Sequence, residues 1–397
     1  MPKILITTFT YPPNKDGVAE ASRLMAEGLV RYGWDVFVAT QFPEAIENDS
    51  HLKNSKLNGV TIARFDLDAS NYHTANKVCE VESYLQYIKD GRFDLIVNQC
   101  WDAWPTTLIQ NIFNDLSCPK VMVTHGYSRH IYHFVKRWTL GVGVWLRGIN
   151  WTITKLPHMI LNYDQIIFLS QMRGFGRFFD HSAASFLRHP QIKVVPNGTH
   201  SDLILTARNG FRNKYGIPQG PMALCIANYC DRKNQKLTLR VFREANVPGS
   251  ILVFIGSELG SYGAAVKTEN EKLKNRVPHC EVFFLEHLPR EEVFSALIES
   301  ELLILTAKHE TQPIVLIEAM AAAIPWISTD TGCIREMEGG IVCRCNKSLV
   351  FALKRLLVDP ALRAQLGSKG LEASRTKYSA SACEIQYHRL FQELLKS

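Results

Sequence analysis

An α/β fold in two domains, each a parallel sheet with helices on both faces, is what this sequence predicts. Three observations carry that expectation. Short apolar runs alternate with stretches of helical periodicity along the chain, the pattern that parallel sheets and their crossover helices impose. The series of strands runs out and starts again after a stretch rich in Gly, Pro and polar residues, Asn209 to Pro221, which reads as the linker. A chain of 397 residues is also long for one core and comfortable for two.

In the first half, apolar runs place strands at Lys3–Thr7, Val36–Ala39, Leu95–Asn98, Val121–Thr124, Ile166–Leu169 and Ile192–Val195. The turn after the first of these, Thr8 to Gly17, leads into a helix from Val18 to Tyr32. Gly17 permits close approach of the backbone to a diphosphate at the helix start, although a loop with one glycine is usually just a loop. Val60–Phe65 reads as a short strand in an edge region. In the second half, strands fall at Ala223–Ala227, Ile251–Ile255, Val282–Leu285, Leu302–Leu305 and Trp326–Ser328. The turn from Ala227 to Gln235 carries Asn228, Arg232 and Lys233 and precedes a helix from Leu237 to Ala245. Cations at such a strand-to-helix crossover could neutralise a leaving diphosphate without a metal ion. Ser381–Leu395 reads as a last amphipathic helix. The domains expected are therefore 1–205, with 381–397 crossing back to it, and 206–380.

The most informative segment is His309-Glu310-Thr311-Gln312-Pro313-Ile314-Val315-Leu316-Ile317-Glu318. It follows the buried strand Leu302–Leu305. Pro313 suits a first helical position, since its missing N–H would be unbonded there anyway. Val315, Leu316, Ala319, Met320 and Ala323 then recur at helical spacing until Pro325. Glu310 thus sits on the loop leaving a strand, and Glu318 about one and a half turns into the helix. The N–H groups of Thr311, Gln312, Ile314 and Val315 would line a helix start, where backbone donors and the helix dipole hold phosphate. A carboxylate near each end of such an anion site suits a ligand with hydroxyls on both sides of a diphosphate. A nucleotide sugar has that shape.

Composition excludes several other classes. Hydrophobic residues make up 46%, ordinary for a soluble globular protein. The longest apolar candidate for a membrane span, Trp138 to Leu161, is broken by Arg147, Lys155 and Pro157. The N-terminus shows no secretory signal, because Ile4-Leu5-Ile6 runs straight into polar residues. The 10 cysteines include no CxxC pair and no finger-like metal spacing, so a reduced cytosolic compartment is expected. The net charge of +7 points to anionic partners. Helix-turn-helix, zinc-finger and aromatic RNA-binding signatures are all missing, which puts nucleic acid last among them.

Taken together, the Tyr11-Pro12-Pro13…Gly17 loop, Val123-Thr124-His125-Gly126, Val195-Pro196-Asn197-Gly198, the Arg232-Lys233 turn, Glu310-x7-Glu318 and Thr329-Asp330-Thr331-Gly332 resemble a known family. It is the large retaining family 4 of glycosyltransferases, the group 1 enzymes. The resemblance implies a GT-B fold, two Rossmann-like domains with parallel sheets facing across a cleft. It implies transfer of a sugar from a UDP- or GDP-linked donor with retention and without a metal or other cofactor. In relatives, the residue matching Glu310 lies beside the donor sugar and the one matching Glu318 bonds the ribose hydroxyls. The residue matching Lys233 contacts the diphosphate, and the histidine matching His125 faces the sugar from the opposite domain. Protein groups would mainly stabilise phosphate charge while the leaving diphosphate helps deprotonate the acceptor. Asp66-Leu67-Asp68 has the form of the metal motif of the other main glycosyltransferase fold, but its context reads as solvated loop acids.

Some positions depart from the family pattern. Thr311 and Gln312 stand where many relatives have Gly or Ser and then an aromatic. Asn228 stands for the usual arginine, Asp16-Gly17 for paired glycines, and His200 for an aspartate. These leave the donor sugar unread. The acceptor is indicated only by 129–155, where Arg129, Tyr132, Phe134, Lys136, Arg137, Trp138, Trp145, Arg147, Trp151 and Lys155 interleave aromatic with cationic side chains. Such a segment suits peripheral contact with a membrane surface. That favours a lipid-linked or saccharide acceptor in surface-polysaccharide assembly, at the inner face of the membrane. Two other classes stay open: a GT-B nucleotide-sugar epimerase, and a non-catalytic nucleotide-sugar-binding partner of another transferase.

Overall fold

The computed structural model describes residues 1–14, 16–43, 53–126, 150–174, 177–201, 204, 207–274 and 277–396. They form two compact units, Met1–Asn197 with Ser381–Ser397, and Gly198–Ala380.

In the first unit the described strands are β1 (Lys3–Thr7), β2 (Asp35–Gln41), β3 (Asn54–Leu57), β4 (Val60–Phe65), β5 (Leu95–Gln99), β6 (Lys120–Val123), β7 (Gln165–Phe168) and β8 (Ile192–Val194). They make one sheet in the order β3-β4-β2-β1-β5-β6-β7-β8. All neighbours are parallel except β3 and β4, an antiparallel pair that closes one edge. Val60–Phe65 thus lies in the edge region, one strand in from the margin. The polar Asn54–Leu57 lies outside it, with three of its four side chains exposed, where a charged, short strand discourages further pairing.

In the second unit, β9 (Met222–Ile226), β10 (Ile251–Gly256), β11 (Glu281–Glu286), β12 (Leu302–Leu305), β13 (Trp326–Thr329) and β14 (Gly340–Cys343) lie in the order β11-β10-β9-β12-β13-β14. Every pair is parallel. Alternation along each strand feeds two cores. Leu224, Val253 and Leu303 face Leu316, Ile317 and Met320, while Ala223, Leu252, Leu302 and Ile304 face Leu239, Phe242 and Leu353. Burial on both faces explains why these strands are nearly continuous apolar runs.

The stretch expected as a linker is part of this unit. It holds a short helix, Phe211–Tyr215, and Phe211 and Ile217 enter the core. The Glu299 carboxylate accepts from the N–H groups of Gly210, Phe211 and Arg212. Gly and polar residues there serve a helix start rather than a free connection.

The helix Ala380–Leu394 packs on the first unit. Arg31 meets Glu384 at 2.5 Å, and Trp34 Nε1 donates to His388 Nδ1 at 3.0 Å. His388 stacks on Tyr32, and buried Phe391 lies edge-on to Trp34. Gly28 lets the helix come close, since a Cβ there would lie 2.3 Å from Glu384 Cγ. Of the aromatic and basic segment 129–155, residues 129–149 lie outside the described residues. Trp151 and Lys155 bound one π-helical turn. Among the described residues no helix is long and apolar enough to cross a membrane.

Candidate active site

In the second sheet β9 lies between β10 and β12, so the connections on its two sides run in opposite directions. This is a topological switch point, and ligands of open parallel sheets bind outside the carboxyl ends of the strands there. The loop after β9 carries Lys233 and the loop after β12 carries Glu310. Lys233 Nζ donates to Glu310 Oε1 at 2.5 Å, with the two side chains 17% and 8% exposed. Backbone bonds fix the loops to each other: Lys308 N donates to Arg232 O at 2.8 Å, and Thr306 Oγ1 to Asn234 O at 2.9 Å. The end of β13 and the loop after it join them, through Thr329 Oγ1 to Ala307 O at 2.7 Å and Cys333 N to Thr311 O at 2.9 Å.

Two helices start beside this pair. Ile314–Ala321 begins one residue later than the sequence predicts, because Pro313 is extended at ψ 118° and acts as the cap rather than the first turn. No side chain caps it. Gln235–Ala245 starts after Asn234 in the left-handed region, also without a side-chain cap. Both starts present N–H groups and positive dipole ends that suit an anion. The helix Gly17–Arg31 differs: Asp16 Oδ1 already accepts from Val18 N and Ala19 N at 2.9 and 3.0 Å. At Gly17 an internal carboxylate thus occupies the place an incoming phosphate would take.

Glu318 lies about one turn into its helix and is 2% exposed at the side chain, where Arg290 Nη2 donates to its Oε1. Gln312 is buried and Thr311, Ile314 and Val315 are half-buried, whereas Asn228 and Arg232 are exposed on the β9 loop. The structure therefore brings Lys233 and Glu310 together beside the 311–318 stretch, while Asn228 and Arg232 are exposed to solvent.

His125 follows β6 in the first unit. Its Nε2 lies 2.7 Å from Oε1 of Gln99, which ends β5. Burial pushes the ring down to about 4, partly offset by the Asp16 charge, so it is neutral at physiological pH. The adjoining turn is fixed by buried Asp180, which accepts from Thr124 Oγ1 at 2.5 Å and Trp101 Nε1 at 2.9 Å. Gly126 N in turn donates to Thr124 Oγ1 at 3.1 Å.

Residues 208–373 match the family model described as "Glycosyl transferases group 1". That match takes in most of the second unit, Gly198–Ala380. It is 23% identical over 193 residues to an alpha-D-kanosaminyltransferase of Streptomyces kanamyceticus, covering 47% of this chain and 49% of that one. Sucrose-phosphate synthase from Thermosynechococcus elongatus matches over 100% of both chains, with a TM-score of 0.77 at 19% identity. HepE from Anabaena, solved in complex with UDP and glucose, matches over 99% of this chain and 100% of its own, with a TM-score of 0.73 at 14% identity. These likenesses establish the GT-B fold. The chain spans half or less of the length of the curated relatives it matches.

Three residues escaped sequence reasoning: Arg290, Gln99 and Asp180. Only Arg290 left a signal, a cation in the first turn of a helix, where the dipole disfavours it. Asp66 and Asp68 serve their own turns. Asp66 pairs with Lys77, and Asp68 accepts from Ser70 N and Asn71 N at 2.6 and 3.0 Å. Among the described residues no group of three or more His, Cys, Asp or Glu is placed to hold a metal ion.

Proposed function

We propose that this chain moves a sugar, with retention, from a UDP-linked donor to an acceptor that is lipid-linked or a growing saccharide. The observation that carries the reading is the Lys233–Glu310 pair at the switch point, between two helix starts without side-chain caps. The diphosphate would lie on the N–H groups of Ile314 and Val315, with Lys233 turning from Glu310 to its oxygens. Glu318 would accept from the ribose hydroxyls, and Glu310 would lie beside the sugar. The bond from the anomeric carbon to the diphosphate breaks as the acceptor oxygen bonds on the same face. The acceptor proton passes to the leaving phosphate oxygen. Lys233 and the helix dipole stabilise the charge that develops there. His125 keeps the role the resemblance implies, and as a neutral ring it can take part in a hydrogen bond without adding charge. The choice of uridine rests on HepE, which was solved with UDP.

The test is transfer of isotope from UDP-sugar into a membrane extract. Free epimer released without an acceptor would favour an epimerase instead, and nucleotide-dependent thermal shifts without turnover would favour a binding partner. Activity is expected to survive EDTA, because backbone donors and Lys233 replace a divalent cation. Complete loss, restored by manganese, rejects this mechanism. Glu318→Gln is expected mainly to raise the donor KM, by about ten- to a hundredfold, since a hydrogen bond to a charged group is worth about 1.5–3 kcal/mol. Unchanged steady-state constants would reject the ribose assignment. Contact of 129–155 with membranes is tested separately by sedimentation with anionic liposomes, which should weaken as salt rises.

A further inference from the structure

We propose that Arg290 is a positioning residue: it holds Glu318 ionised and aimed for the ribose, and thereby sets the preference for ribonucleotides. The proposal rests on the ribose role given to Glu318 above.

Arg290 opens the helix Arg290–Ile298. A cation at that end runs against the helix dipole, so its placement needs a compensating contact. Two are present. Arg290 Nη2 donates to Glu318 Oε1 on the neighbouring helix, 28 residues away in sequence. The guanidinium also lies 4.9 Å from the centroid of the Phe294 ring, one turn along its own helix, within reach of a cation–π attraction. Phe294 is itself buried in the second unit's core, so the guanidinium rests on a fixed platform.

Glu318 stands to lose most without this contact. Its side chain is 2% exposed against 45% for Arg290. A carboxylate so removed from water favours its protonated form unless a cation stays beside it. Once protonated, it donates one hydrogen bond and accepts fewer, a poor match for two ribose hydroxyls. As a carboxylate it offers about four lone-pair positions over two oxygens, enough for a guanidinium and a hydroxyl pair together. Because Arg290 reaches inward from the surface, its truncation opens no core cavity, and the variant is expected to fold.

The experiment measures the affinity of the full chain for UDP and for 2′,3′-dideoxy-UDP by calorimetry, alongside donor KM and kcat. Wild type should prefer UDP by about tenfold or more, the worth of one good hydrogen bond to a charged group. In Arg290→Ala the affinity for UDP should fall until the two ligands bind alike, while that for the dideoxy compound stays within about twofold. KM should rise and kcat hold, and Arg290→Lys should recover part of the preference. Equal weakening of both ligands, or no change in either, overturns the proposal. Wild type that binds both alike overturns the ribose role of Glu318 as well. Wild type that binds no nucleoside diphosphate overturns the donor reading itself.

Discussion

Lys233→Met is expected to lower kcat by about 10²–10³-fold, the usual loss when one preorganised donor to a developing oxyanion is removed. Methionine keeps the length of the side chain and deletes its charge. Two effects follow, because Lys233 also neutralises the largely buried Glu310 at 2.5 Å. Removing one partner of a buried pair leaves the other uncompensated, a cost of about 3–5 kcal/mol at full burial. Lys233→Met should therefore lose stability along with activity. The double variant Lys233→Met/Glu310→Gln separates the two effects. Its thermal midpoint should recover most of the loss, since the orphaned charge is gone, while kcat stays low. A Lys233→Met enzyme within a few-fold of wild type would exclude Lys233 from diphosphate stabilisation.

Gly332→Ala is the second large effect. Gly332 has φ +51°, and a Cβ there would lie 2.1 Å from Thr311 O and 2.4 Å from Glu310 O. Both neighbours are backbone atoms and cannot rotate away. The loop after β13 must retreat, and Cys333 N pulls away from Thr311 O with it. Glu310 is then displaced, and a shift of about 1 Å at a reacting centre costs about 10²-fold in rate. Gly249→Ala supplies the control. Gly249 also has positive φ, +72°, but nothing lies within 4 Å of the added Cβ. Both variants carry the left-handed backbone penalty of about 1–2 kcal/mol, so any excess loss in Gly332→Ala measures the clash. Similar kcat/KM in the two variants would show that the β13 loop does not position Glu310.

The strands were legible because burial on both faces writes them as apolar runs. Lys3–Thr7, Val60–Phe65 and Leu302–Leu305 were placed to the residue, and the other nine expected strands fell within two residues of the observed ends. The strands that were not foreseen lie at sheet margins. Asn54–Leu57 is mostly solvated, so no apolar signal marks it, and Gly340–Cys343 is short and opens on a glycine. Of the site, Glu310 and Glu318 could be read because they share one strand–loop–helix unit. Lys233 could be read from its own turn, but neither its pairing with Glu310 nor that of Arg290 with Glu318 could. Lys233 is 77 residues from Glu310 and Arg290 is 28 from Glu318. Such contacts are made by strand order, which a linear pattern does not state. Pro313 was misplaced by one residue because a proline's fixed φ is equally compatible with a cap and with a first turn.

The helix Ala380–Leu394 imposes an order on synthesis. A ribosome releases residues 198–380 as one uninterrupted stretch, so the second unit can close as soon as it emerges. The first unit starts earlier and finishes later. Until residues 381–394 appear, Trp34 and the apolar side of its neighbours have no cover from Phe391 and His388. A nascent chain therefore carries an incomplete first unit for the whole time the second is being made. Over that interval its exposed aromatic surface is a natural point of capture for a chaperone or of pairing with another unfinished chain.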